Sequence, residues 1–313
     1  MEPHNRDTAL RFVQAIPLPG VEGRFDHMAV DLQRQRLFVA ALGNNSLEIM
    51  NLQNGERLQT IKSFQKPTGI AFAPKLNRIF AASGDGERCE ILDSKTFRIV
   101  HSTTSLPDAD NVRFDDAEER VYVGYGDGAL AKIDAGSGRK MGDIPLKGHP
   151  ESFQLEKTGA RIFVNVPTAE SIAVIDRAQN KVVATWTLEG ARSNFPMALD
   201  ESNHRLFVGC REPASLLVYD TASGRVAASL PIAADTDDLF YDAARRRLYV
   251  ACGGGFINVI QQQDADVYKE IARIPTAEGA RTALFVPELR RFYLAVPQRG
   301  SQRAEIRVFE VQP

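Results

Sequence analysis

Three cysteines, one tryptophan and almost no net charge are what the 313 residues offer to the more specialised classes of protein. Cys89, Cys210 and Cys252 form no CxxC pair, so no disulfide framework or cysteine-held zinc is indicated. They read as buried thiols that pack like small hydrophobes. A formal charge of −2 removes the global electrostatic case for nucleic acid. No apolar run approaches the ~18 residues of a membrane span. MEPHNRDTAL at 1–10 lacks the apolar stretch of a secretory leader. The sequence as written reads as cytoplasmic; a chain already trimmed of a leader would be periplasmic or secreted. There is no GxSxG. GDG at 84–86 and 126–128 and GGG at 253–255 lie between strand signals with no helix following, so they are turns and not phosphate cradles. No organic cofactor is indicated.

What is present is a repeat, and repeats are read before anything else. RLFVA at 36–40 returns as RIFAA, RVYVG, RIFVN, RLFVG, RLYVA and RFYLA, the last at 291–295. Five positions ahead of each leading arginine stands Asp31, Ala73, Asp115, Glu156, Asp200, Asp242 or Val286, and these markers recur every 41–44 residues. Each unit holds four short alternating or apolar runs parted by Gly, Asp, Asn and Lys, as in TGIAFAP, RIFAAS, RCEILD and FRIVHSTT. Such runs are antiparallel strands. Four strands per ~42 residues is the period of a propeller blade.

The expected fold is therefore all-β, a single domain over 1–313 forming a seven-bladed β-propeller with four antiparallel strands per blade. The blades span approximately 23–62, 63–105, 106–146, 147–188, 189–232, 233–276 and 277–313. The last unit ends after its third strand, EIRVFEVQP, while RFVQAIPLPG at 11–20 resembles a fourth strand such as RVAASLPIAA. Segment 9–20 is thus expected to complete the seventh blade and remove an open sheet edge.

SIAVIDRAQNKVVATWTL followed by MALDESNHRLFVG resembles the YVTN repeat, and SLLVYDTASGRVAASLPI and SLEIMNLQNGERLQTI fit the same pattern. The likeness runs from about residue 9 to 313. With no Trp-Asp dipeptide, the chain looks closer to YncE-like propellers than to WD40 ones. That resemblance implies the fold and leaves function open, since propellers of this kind include binders, lactonases and lyases.

Residues just ahead of each innermost strand face one opening of the central channel. Aligning RFDHMAVD at 24–31 across the blades gives a first ring of Asp26, Thr68, Asp110, Glu151, Phe195, Asp237 and Arg281. The second ring is His27, Gly69, Asn111, Ser152, Pro196, Asp238 and Thr282; the third, Met28, Ile70, Val112, Phe153, Met197, Leu239 and Ala283, is apolar throughout. Two carboxylates ~6 Å apart repel by roughly 3 kcal/mol at an effective dielectric near 20. Four acids in one ring thus call for a cation, raised pKa values, or compensation by Arg281 and protonated His27. The competing explanation is turn chemistry, because Asp and Asn bind nearby backbone N–H groups. It covers Glu151 and Arg281 poorly.

FDHMAVD also resembles the metal-binding stretch of gluconolactonase-type propellers, as does DADNVRFDD at Asp110. This implies Asp26 and Asp110 as oxygen ligands for a divalent cation, Ca²⁺ or Mg²⁺ first, and Glu151 and Asp237 of the same ring offer further oxygens. A transition metal follows if His27 and His149 join them. Around the same face Asn111, Tyr125, His149, Asn194, Arg211, Asp238 and Arg281 are the candidate ligand-binding residues. The leading expectation is a monomer that binds a small polar or cationic molecule at the channel mouth, with a metal or without one. The alternative is a metal-assisted lactone hydrolase or lyase with His27 or Glu151 as general base. The third is a protein-interaction scaffold without chemistry.

Overall fold

In a computed structural model that describes residues 9–313, seven four-stranded antiparallel sheets stand around a ring. Residues 1–8, part of the expected domain, lie outside the described residues. The innermost strands are Met28–Asp31, Pro67–Ala73, Val112–Asp115, Phe153–Leu155, Arg192–Asp200, Thr236–Asp242 and Thr282–Val286. All seven second strands begin on the expected arginine, from Arg36–Ala41 through Arg291–Val296. None of the helices is long and apolar enough to cross a membrane.

The seventh sheet closes as expected. Leu10–Pro17 pairs antiparallel with Glu305–Val311, from Leu10 opposite Val311 to Pro17 opposite Glu305. Leu10 and Ile16 bury themselves in neighbouring clusters between blades. The core consists of such inter-blade clusters; in one, Trp186 stacks on Tyr219 at 5.9 Å and leans on Phe163 at 5.5 Å. Cys89, Cys210 and Cys252 are buried and free, as composition suggested.

Two repeated devices belong to the scaffold. On the face opposite the mouth, Asp31, Asp115, Asp200 and Asp242 each accept a hydrogen bond from a turn N–H two or three residues on, at 3.0–3.3 Å. These aspartates are turn formers. On the rim, each outermost strand skips one residue against its neighbour, and the skipped residues are Val13, Leu58, Val100, Met141, Val183, Ala227 and Ile271. A bulge at that place twists the edge and breaks its run of pairing groups.

Candidate functional site at the channel mouth

The backbone presents the first-ring acids rigidly. Asp26 N–H donates to Ala40 O at 2.8 Å, and Ala40 N–H returns to His27 O at 3.1 Å. Asp110 and Asn111 make the same pair with Gly124, and Glu151 and Ser152 with Asn165, all at 2.8–3.0 Å. Each inner strand is thereby prolonged by two residues in blades 1, 3 and 4. Between them, blade 2 contributes Gly69, where a Cβ would come within 2.3 Å of Asp110 O. Glycine lets that blade approach, while Thr68 Oγ1 donates to Ala109 O at 2.8 Å.

A cavity of about 150 Å³ lies here, lined by six of the seven first-ring residues, Thr68 being the exception. Arg24, His27, Asn111, Ser152 and Arg211 complete it. The ring is not evenly acidic. Asp237 is clasped by two guanidiniums, Arg211 Nη2 at 2.5 Å and Arg281 Nε at 3.1 Å. Arg281 also holds Asp235 at 2.5 Å, and Arg211 lies 3.6 Å over the Phe195 ring. Blades 5 to 7 thus form a neutralised arginine side, and blades 1, 3 and 4 an acidic side of Asp26, Asp110 and Glu151.

Among the described residues, none of these three carboxylates accepts a hydrogen bond from a backbone N–H, unlike the aspartates of the opposite face. Turn chemistry does not account for them. They face imidazoles instead. His27 Nε2 lies 3.6 Å from Asp26 Oδ1, and His149 Nε2 lies 3.7 Å from Asp110 Oδ2. The far nitrogen of each ring is engaged elsewhere. His149 Nδ1 meets Gly126 O at 2.7 Å, and since a carbonyl can only accept, that nitrogen carries the proton. His27 Nδ1 faces Asp238 Oδ1 at 3.6 Å, and Asp238 is fixed by Ala283 N–H at 2.7 Å.

The electrostatics follow from crowding. Burial pushes Asp26 up to about 7 against the pull of His27, with Asp110 and Asp237 adding to the rise. Burial, then the charges of Asp110 and Asp237, pushes Glu151 up to about 8. Burial raises Asp237 too, against its two arginines. Burial alone would lower His27, but the adjoining carboxylates of Asp238 and Asp26, each 3.6 Å from the ring, win and raise it to about 10. Asp110 raises His149 to about 9 against burial. The acidic side therefore draws in protons, as an excess of negative charge must when no other cation neutralises it.

Single ligand atoms of Asp26, His27 and Asp110 lie within 4.8 Å of one another, and so do those of Asp110, His149 and Glu151. No group among the described residues holds both histidines, and Asp110 belongs to both groups. Asn111 lines the same cavity, and its buried Oδ1 has no hydrogen-bond partner. Carboxylates with an outward-anchored imidazole suit a divalent cation with some nitrogen affinity.

The remaining sequence candidates fall elsewhere. Tyr125 stands on the rim, donating to Asp143 at 2.9 Å beneath Lys140. Asn194 is buried between blades 4 and 5, donating to Asn165 Oδ1 at 2.8 Å and Ser171 O at 3.0 Å. Asp238 lines the channel below the mouth, beside Arg113, a residue the ring alignment passed over. The signal for Arg113 was an arginine in the middle of an inner strand, NVRFDD.

Fold and mouth together define a seven-bladed propeller with a charged axial site. No family model matches the chain, and no curated protein matches it in sequence. Among solved structures, hydrazine synthase of Kuenenia stuttgartiensis is similar at 15% identity and a TM-score of 0.77, over 89% of this chain and 95% of that one. A chain of the mitotic checkpoint complex is similar at 11% identity and a TM-score of 0.82, over 100% and 95%. At these identities the likeness is one of fold.

Proposed function

We propose that the protein binds a small polar ligand at the channel mouth through a divalent metal ion. Asp26, His27 and Asp110 would hold the ion, and Asp110, His149 and Glu151 offer a second donor set. The observation that carries this reading is the pairing of three carboxylates free of backbone hydrogen bonds with two imidazoles whose Nδ1 atoms are engaged, leaving Nε2 toward the acids. The orphaned Asn111 Oδ1 adds an oxygen donor. With imidazole in the set, Mn²⁺ or Zn²⁺ suits it better than Ca²⁺ or Mg²⁺. The repeat pattern resembles that of YVTN-type propellers, and an affiliation with them is part of this reading.

Glu151 favours a second, catalytic reading. A carboxyl near pKa 8 keeps its proton at neutral pH and can return one to a leaving group, as a hydrolase or lyase requires. A scaffold role finds less support. The exposed large apolar residues, such as Val13, Leu58, Val100, Met141, Val183 and Ile271, lie on the outer strands, away from the mouth. A protein partner would dock on the polar rim.

The test is thermal unfolding of EDTA-treated protein with Mn²⁺, Zn²⁺, Ca²⁺ or Mg²⁺ returned singly. One ion should raise Tm in proportion to RT ln(1 + [L]/Kd), and Asp110→Asn should abolish the effect. No shift with any ion refutes the metal. Turnover of a lactone panel that Glu151→Gln removes would establish the catalytic reading over simple binding.

A further inference from the structure

Below the mouth the channel opens into a cavity of about 370 Å³, with His27 and Ser152 shared between the two spaces. Its polar lining is His27, Arg113, Ser152, Gln154 and Asp238, and its remaining wall is apolar, including Met28, Ile70, Met197, Leu239 and Phe240. A volume of this order and a mostly apolar wall with a few converging polar groups are the features of a small-molecule pocket.

Arg113 is out of place by the logic of the fold. Its position on the inner strand lies opposite Tyr122 on the second strand. The same register position, opposite an aromatic residue in every blade, holds Ala29, Ala71, Gln154, Ala198, Phe240 and Leu284. An arginine and its neighbour Gln154 thus replace alanine or a large apolar residue at one height of the channel. The scaffold does not use the charge. Among the described residues Arg113 makes no ion pair, while Arg211 and Arg281 at the mouth are each paired with two aspartates. Its hydrogen bonds go to the adjacent Val112 O at 3.0 Å and, weakly, to Ser152 Oγ at 3.4 Å. The guanidinium lies 5.5 Å from the Phe153 ring centroid, which fixes its plane and leaves its other donors to the cavity.

A guanidinium withdrawn from bulk water with no carboxylate in ion-pair contact is costly to hold, since Asp238 and Asp110 favour its charge only from a distance, and it is matched by an anion offering two acceptor oxygens. Asp238 in the same cavity repels a dianion, so a monoanion fits better than a phosphate. The apolar wall suits a hydrocarbon body. We propose that the channel below the mouth is a carboxylate-binding site, in which Arg113, assisted by Ser152 and Gln154, holds the head of a small monocarboxylate whose apolar body lies along Met28, Met197, Leu239 and Phe240. The site extends the mouth inward and names the class of ligand that the proposed function leaves open, yet it does not need the metal. Failure of metal binding leaves it intact, and its own failure leaves the metal site intact.

The test is isothermal titration of benzoate, cyclohexanecarboxylate and the neutral benzamide into EDTA-treated protein. The carboxylates should bind and benzamide should not. Arg113→Gln should weaken the carboxylates at least about tenfold, the scale of a lost charge-assisted contact, while the circular dichroism spectrum is kept. Arg113→Lys, which retains the charge without the fork, should bind more weakly than wild type and more tightly than Arg113→Gln. If Arg113→Gln does not fold, the benzoate-to-benzamide ratio in wild type and the intermediate affinity of Arg113→Lys decide. Absence of carboxylate binding, equal binding of benzamide, or benzoate affinity unchanged in Arg113→Gln or Arg113→Lys would overturn the proposal.

Discussion

Replacing Glu151 by glutamine keeps the shape of the mouth and removes one titrating group, so the two proteins should differ only where Glu151 and an unfolded-state glutamate hold their proton differently. The folded carboxyl titrates at about 8 against an ordinary 4.5, with burial the first cause. Below about pH 4 folded and unfolded chains both carry the proton. Between 4.5 and 8 the unfolded chain gives it up and the folded chain keeps it, so stability falls as pH rises and the fall is complete above about 8. At ~1.4 kcal/mol for each tenfold change in proton affinity the ceiling is ~5 kcal/mol. Glu151 stands half-buried at an open mouth, where water and salt screen much of this. A fall of ~1.5 kcal/mol is the expectation, which is ~2 °C in Tm for a chain of this length. Scanning calorimetry in EDTA should give wild type and Glu151→Gln the same Tm at pH 4, with the variant ~2 °C higher by pH 8.5. Parallel curves across that range, or wild type the more stable at pH 8.5, would refute the crowding argument.

Three further outcomes are expected. Ion binding should release protons and tighten as pH rises from 6 to 9, because His27 and His149, at about 10 and about 9, must lose theirs; calorimetric heats that do not vary with the ionisation enthalpy of the buffer would contradict this. Asp238→Asn should move His27 back toward its ordinary value, visible as an earlier imidazole titration by NMR, and weaken the ion ~10–100-fold; an unmoved titration would show that Asp238 does not set it. Gly69→Ala brings a Cβ against the Asp110 carbonyl and should cost ~1–3 kcal/mol and blunt the ion response; a wild-type Tm with a full ion response would mean blade 2 yields freely there.

The fold was legible because a propeller writes its geometry into a period. RLFVA and its six counterparts mark the second strand of every blade, and aligning them sets residues of equal height side by side. That is why Asp26, Asp110, Glu151, Phe195, Asp237 and Arg281 could be named as neighbours although 41 to 255 positions separate them from one another. Height was readable, but direction was not. Asn194 sits next to a ring position yet turns into the interface with blade 4, because Asn165 and Ser171 there offer it acceptors. The clasp of Asp237 by Arg211 and Arg281, and the engaged Nδ1 of His149, depend on rotamers meeting across blades. No single repeat encodes such meetings. Arg113 was passed over for the opposite reason: its strand reads as buried, and only the cavity reveals that its charge makes no ion pair among the described residues.

Pairing Leu10 with Val311 sets an order of events during folding. Each of the first six blades can assemble from a stretch of ~40 residues as it is made. The ring cannot shut until Glu305–Val311 appears and captures Leu10–Pro17, which waits with Leu10 and Ile16 uncovered. Enlarging the closed loop from ~40 to ~300 residues adds only about 2 kcal/mol of entropy. The delay is therefore kinetic in character, since contacts between distant segments form slowly. A circular permutant beginning at residue 23, with 9–22 joined behind 313, turns that last capture into an ordinary hairpin and keeps Val21 in the cluster it shares with Ile16. Its final stability should match the native chain while its slowest refolding phase shortens, because every blade is then finished by the strand that follows it.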